Sequence, residues 1–182
     1  MDNKGKNGNT ESKRKGYVSP MRYPQLFLVH ALIVIIIVWL IFGVFIGLLT
    51  APNDDMSPRI SGGDLLIYYR LDKDVKAGDV VVLNKDDTNY VARVVAVGGD
   101  TVDITDDQRL VINGNYVVEN NIFYKTVKYD EQYMTYPYTV EENRYFVLVD
   151  RRESGEDSRF YGTVYSEEIK GTVLTVIRSH NL

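Results

Sequence analysis

Few residues of this 182-residue chain have the types and spacing to do chemistry. It contains no cysteine, which excludes a thiol nucleophile, a thiolate zinc site and a disulfide framework. That absence fits an exported domain that does without disulfides. Ser57 lies two positions after Asp55, so on a strand the pair would share a face. A serine hydroxyl needs a tuned base within hydrogen-bond reach, and an aspartate carboxylate alone does not supply one. Neither histidine is well placed to be that base, since His30 falls in a long apolar run and His180 lies near the C-terminus. Asp54 and Asp55 are neighbours, which on a strand point to opposite faces, whereas an aspartic dyad needs facing carboxyls. A hard cation there would need six or more oxygens. The pair therefore reads as a solvated acidic turn, as do Asp86-Asp87 and Asp106-Asp107. No metal and no cofactor is expected.

The elements that would position these residues fall into three stretches. Residues 1–25 carry six Lys/Arg against Asp2 and Glu11 in a chain of net charge −4, and the Asn, Lys, Gly and Ser of residues 1–20 predict a disordered cytoplasmic tail. Leu26 to Leu49 is an apolar run without a formal charge, which predicts a transmembrane helix over 26–49. A cleaved signal peptide is its rival, with Leu49-Thr50-Ala51 as a weak cleavage site. Basic residues flank only its N-terminal end. The positive-inside rule then predicts a single-pass plasma-membrane protein with residues 50–182 outside the cell. The acidic outer segment lacks the basic patch that nucleic acid calls for.

Beyond Ala51 the pattern turns to short β-branched and aromatic runs. Leu65–Tyr69, Val80–Leu83, Tyr90–Val97, Leu110–Ile112, Tyr116–Val118, Tyr145–Val149 and Gly171–Ile177 all read as strands. Gly62-Gly63-Asp64, Lys76-Ala77-Gly78-Asp79 and Gly98-Gly99-Asp100 are turns, and Asn113-Gly114 is a hairpin signal. One short helix is expected near Ser166–Ile169. The fold class is mainly β, a folded antiparallel sheet or barrel preceded by one transmembrane helix.

The order of the turns carries a resemblance. Asp55-Met56-Ser57-Pro58 is followed by Gly78-Asp79-Val80-Val81-Val82, then by Tyr90-Val91-Ala92-Arg93-Val94 with Gly98-Gly99-Asp100, and last by Val149-Asp150-Arg151-Arg152-Glu153-Ser154-Gly155-Glu156-Asp157-Ser158-Arg159-Phe160-Tyr161-Gly162. This series resembles the type I signal peptidases from the span to Arg178. In that family the first motif is Ser-Met-x-Pro, with the serine as nucleophile, and the third is Tyr-Val-Lys-Arg-Val, with the lysine as general base. The resemblance implies a signal-peptidase-like fold with a variable β insertion at about 103–144. It also implies that Asp150, Arg152, Asp157, Ser158 and Arg159 brace the wall of the site.

The departures fall on the chemistry. Asp55 stands where the family has its serine, Ala92 where it has its lysine, and Gly155 where a serine supports that lysine; Val149 and Arg151 also depart. Alanine has no proton acceptor, and an ionised carboxylate neither attacks an amide well nor donates to an oxyanion. Loss of both members of such a dyad leaves binding alone. The catalytic set is therefore expected to be empty, leaving a partner-binding groove around Asp55, Met56, Ser57, Pro58, Ala92 and Arg93.

In the family the substrate lies beside the catalytic strand as an added strand, a mode that needs neither the serine nor the lysine. Signal-peptidase-like proteins with this loss are found among pilin and sortase genes of Gram-positive bacteria. The resemblance therefore implies a non-catalytic accessory or chaperone for pilus assembly, with a pilin or a sortase as partner. Two alternatives stay open: a signal peptidase with a rearranged active site, and a membrane scaffold or sensor unrelated to pili. Tyr116, Tyr124, Tyr129, Tyr133, Tyr136, Tyr138 and Tyr145 could serve an interface, but fit better the half-exposed strands in which tyrosine is favoured.

Overall fold

The computed structural model describes residues 22–72, 74–129 and 134–179. The expected tail over 1–20, Tyr133 and His180 lie outside the described residues. The chain divides between Val38 and Trp39 into two compact units.

The apolar run forms helix α1, Arg22–Leu40, which continues as one π-helical segment over Ile41–Phe45. Tyr23 to Phe45 is long and apolar enough to cross a membrane. At about 1.5 Å per residue it extends for roughly 34 Å. His30 uses Nδ1 on the carbonyl of Leu26, one turn back, at 2.7 Å. The apolar pattern predicts helix to Leu49, but the structure ends it at Phe45. Ile46–Thr50 is instead strand β1, paired antiparallel with β2, Leu65–Tyr69. An apolar run long enough to be all helix conceals such a switch, because periodicity is silent where every residue is apolar. Gly47 is the local reason. It faces Tyr68, whose ring would stand 2.0 Å from a Cβ at this position, so only glycine lets the aromatic lie across the strand.

The remaining large-sheet strands are β3 (Val80–Lys85), β4 (Thr88–Val97), β9 (Arg144–Leu148), β10 (Val164–Tyr165) and β11 (Ile169–Ile177). Their order is β1-β2-β11-β3-β4-β9-β10, antiparallel throughout. Both faces are covered at the centre, which explains the unbroken valine run of β3. Val82 packs with Met56, Leu66, Val91 and Val149 on one side, and Val81 and Leu83 pack with Ala92, Val94 and Val147 on the other.

A second sheet of β5 (Thr101–Ile104), β6 (Leu110–Ile112), β7 (Asn115–Tyr116) and β8 (Tyr138–Thr139) has the order β7-β6-β5-β8. It corresponds to the β insertion expected from about residue 103, and starts at Thr101. Val102, Ile104 and Leu110 bury against Phe146 and Leu148 of β9. Asn113 and Gly114 both take positive φ, +52° and +76°, the turn that joins β6 to β7. β7 stops at Tyr116, two residues short of the expected Val118. The short helix is not near Ser166–Ile169. It is α2, Ser158–Tyr161, capped by Asp157 through the Arg159 amide at 3.0 Å and ended by Gly162 at φ +82°. Ser166 to Glu168 is the turn between β10 and β11, held by the Glu168 amide on the Tyr165 carbonyl.

Candidate functional site

β1 ends at Thr50, and the chain then turns sharply through residues 52–60, with Ala51, Met56 and Ile60 buried beneath the turn. Each of its two aspartates is engaged separately. Asp54 accepts from the Gly62 amide at 2.8 Å through Oδ1, and its carbonyl accepts from the Ser57 amide at 3.0 Å. Asp55 accepts from Asn53 Nδ2 at 2.7 Å, while its own amide donates back to Asn53 Oδ1 at 3.2 Å. The Asn53-x-Asp55 spacing is an Asx-type turn signal that could have been found in the sequence.

Asp55 is half-buried against the loop from Asp150 to Asp157. The Arg151 amide donates to the Asp55 carbonyl at 2.8 Å, and the Asp55 carboxyl lies against Gly155. Burial pushes the Asp55 carboxyl above the usual aspartate value. The Asn53 hydrogen bond pulls it down, Asp157 raises it, Arg151 lowers it and Glu156 raises it. Among the described residues, no hydrogen bond links the Ser57 hydroxyl to a carboxylate or an amine. Nor do these residues contain a group of three or more His, Cys, Asp or Glu able to hold a metal ion.

Ala92 sits in mid-β4, opposite Val81 of β3, and is fully buried among Val81, Leu83, Val94 and Val147. Tyr90, two residues earlier, packs on the same cluster, and its hydroxyl donates to Glu156 at 3.0 Å. The Ala92 face of β4 and the Asp55 turn thus meet the same loop, one through Glu156 and the other through Gly155. Met56 is also buried, with its sulfur accepting from the Asp150 amide at 3.4 Å. Of the six residues of the expected groove, Met56 and Ala92 have buried side chains. Both belong to apolar clusters of the core, Met56 with Leu66, Val82 and Val91, and Ala92 with Val81, Val94 and Val147. Ser57 and Pro58 remain at the surface of the turn.

Arg93 makes a two-point ion pair with Asp150, Nε–Oδ1 at 2.8 Å and Nη2–Oδ2 at 2.7 Å, and donates from Nη1 to the Gly78 carbonyl. It also lines an open cavity of about 390 Å³ with Gly78, Val94, Val118 and Ile122. Behind the loop, Asp157 and Arg159 are both fully buried and paired through Nε at 2.9 Å and Nη2 at 2.7 Å. Asp157 also accepts from the Val149 amide, and Ser158 Oγ from the Val147 amide, so β9 and α2 are tied side by side. Arg152, equally buried, hydrogen-bonds the Glu119 carboxylate, Thr126 Oγ1 and the Val149 carbonyl. Glu119, Thr126 and Tyr129 carry no sequence signal of this role. They come from the insertion, and only the fold brings them to the loop.

An antiparallel β domain that follows an apolar helix, with a turn laid on a loop braced by buried Arg–Asp pairs, defines the class of protein: mainly β, with one helix apolar enough to cross a membrane. The family model described as "Signal peptidase, peptidase S26" matches residues 25–177. The chain belongs to that signal peptidase family. It is 39% identical over 102 residues to "Signal peptidase I S" of Bacillus subtilis, which covers 52% of this chain and 55% of that protein. It is 34% identical over 128 residues to "Signal peptidase I" of Bacillus licheniformis, covering 64% and 68%, and 30% identical over 143 residues to "Signal peptidase IB" of Staphylococcus aureus, covering 68% and 73%. The chain spans about half the length of the first of these relatives. A signal peptidase I structure from Enterococcus faecalis aligns with a TM-score of 0.48 at 26% identity, covering 57% of this chain and 98% of that one.

Proposed function

We propose that this signal peptidase I-like protein does not cleave peptides and instead holds a protein or peptide partner at the outer face of the membrane. The observation that carries the reading is the environment of Ala92. This position matches the family's general base, yet it holds a methyl group wholly enclosed by valines, leucine and other apolar side chains. A proton acceptor is needed as the nucleophile attacks, and the Asp55 carboxylate, held by Asn53, is no substitute for a serine activated by an amine. Binding as an added strand needs neither a serine nor a lysine, so a peptide can still lie beside the turn through backbone hydrogen bonds. Within this reading residues 1–25 face the cytoplasm, and the partner is a pilin subunit or its sortase, which the protein assists in pilus assembly.

The test is a cleavage assay on the full chain in detergent or liposomes with a signal-peptide substrate, the activity named for its relatives. No product is expected. Cleavage that disappears in Ser57→Ala would replace this reading with the rearranged peptidase. Co-purification from the native membrane tests the partner: a pilin or sortase supports the assembly role, and neither being retained points to a scaffold or sensor.

A further inference from the structure

Arg70, just past β2, closes the end of the apolar helix. Its amide donates to the Phe45 carbonyl at 2.9 Å, and its Nε donates to the Ile46 carbonyl at 3.3 Å. The guanidinium also stands 5.7 Å from the centre of the Tyr68 ring. Phe45 is the last residue of the stretch able to cross a membrane, so these bonds hold Arg70 at that end of it. Carbonyls at a helix C-terminus carry partial negative charge and favour a cation beside them.

These bonds use one of the five N–H groups of the guanidinium. Nη1 and Nη2 of Arg70 have no hydrogen-bond partner among the described residues, and the side chain is exposed. By contrast, Arg93, Arg109, Arg144, Arg152 and Arg159 each meet a carboxylate. A stretch of roughly 34 Å exceeds a hydrocarbon core of about 30 Å, and headgroups extend the bilayer to about 40–45 Å. Phe45 therefore reaches the headgroup layer and carries Arg70 to the level of the lipid phosphates. A guanidinium takes a phosphate through parallel N–H donors, and Nη1 and Nη2 are two such donors without a partner.

We propose that Nη1 and Nη2 of Arg70 hold the phosphate of an anionic phospholipid where the span leaves the bilayer. This rests on the reading of Tyr23–Phe45 as a membrane span and is independent of the partner at the Asp55 turn. An anionic headgroup fits better than a zwitterionic one, whose own ammonium competes for the phosphate.

The test uses the full chain in a nonionic detergent, titrated with phosphatidylglycerol, phosphatidylcholine or inorganic phosphate. Bound lipid is counted by native mass spectrometry, and the thermal midpoint is followed. The parent should bind phosphatidylglycerol about tenfold more tightly than Arg70→Gln does, the factor for a charge-assisted hydrogen bond, and more tightly than it binds phosphatidylcholine. Arg109→Gln removes a cation from the second sheet and should keep the parent's affinity. Equal affinity of the parent and Arg70→Gln overturns the proposal, and so does an equal loss in Arg109→Gln. Inorganic phosphate should shift the midpoints of the parent and Arg70→Gln alike; a shift in the parent alone would make this a soluble-phosphate site and overturn the lipid assignment. Flotation with liposomes tests the span by itself. A parent that fails to float overturns the span and the proposal with it, whereas flotation without a preference for phosphatidylglycerol overturns the Arg70 site alone. If Arg70→Gln loses its fold by circular dichroism, Arg70→Lys decides. It keeps the charge without the paired donors, and an unchanged affinity for phosphatidylglycerol overturns the proposal.

Discussion

The carboxyl of Asp55 occupies the space that a side chain at position 155 would need. A Cβ on Gly155 would stand 2.9 Å from Asp55 Cγ, and the residue's φ of +96° favours glycine there. The two positions are therefore coupled. Gly155→Ser should cost about 1–3 kcal/mol. In an Asp55→Ala background the cost should fall by about 1 kcal/mol, which a double-mutant cycle of denaturation midpoints would resolve. Additive effects would mean that the carboxyl and the added side chain do not compete.

The elevated titration of Asp55 has a definite sign. Burial raises the folded-state value above that of the unfolded chain, so between the two values the folded protein binds more protons. Stability contributed by this group is highest below the unfolded value and falls as pH rises through the folded one. Asp55→Asn should flatten that decline and leave the protein more stable at neutral pH than the parent. Thermal midpoints from about pH 3.5 to 7 for both proteins check this, and a parent that gains no acid-side stability relative to Asp55→Asn contradicts it.

The buried Asp157–Arg159 pair should be far more costly to break than the exposed Asp107–Arg109 pair. Asp157→Ala leaves a guanidinium with 0% side-chain exposure uncompensated, removes the cap of α2 and should cost about 3–5 kcal/mol. Asp107→Ala should cost no more than about 1 kcal/mol. Urea denaturation of each variant makes the comparison.

Under the proposed function, placing a serine at position 55 and a lysine at position 92 should not produce cleavage. In Asp55→Ser with Ala92→Lys, the new amine must enter a cluster in which Val81, Val94 and Val147 leave position 92 with no exposed surface. Overpacking alone costs about 1–3 kcal/mol. The expected result is a lowered melting temperature with no signal-peptide cleavage. Rapid cleavage would show that the turn and wall are still shaped for the reaction.

Most of the sheet was legible because its strands are bounded by Gly-Asp turns and differ in period from the apolar helix. Leu65–Tyr69 and Leu110–Ile112 match residue for residue. β1 was not, since Ile46 to Leu49 continues an apolar run and its strand state comes from pairing with β2. α2 was missed because one turn of helix has no readable period, and its boundaries come from Asp157 and Gly162.

The amino-acid sequence by itself determined the apolar helix, the β class and the identities at positions 55, 92 and 155, because composition, turn chemistry and motif order are local properties. Only the tertiary structure decided that Met56 and Ala92 are interior, that Arg93 belongs to Asp150, and that Glu119 and Tyr129 reach across to Arg152 and Gly155. Those are pairings between residues up to 94 apart in the chain, as at Met56 and Asp150, and no local pattern encodes which distant partner a buried charge or sulfur will meet.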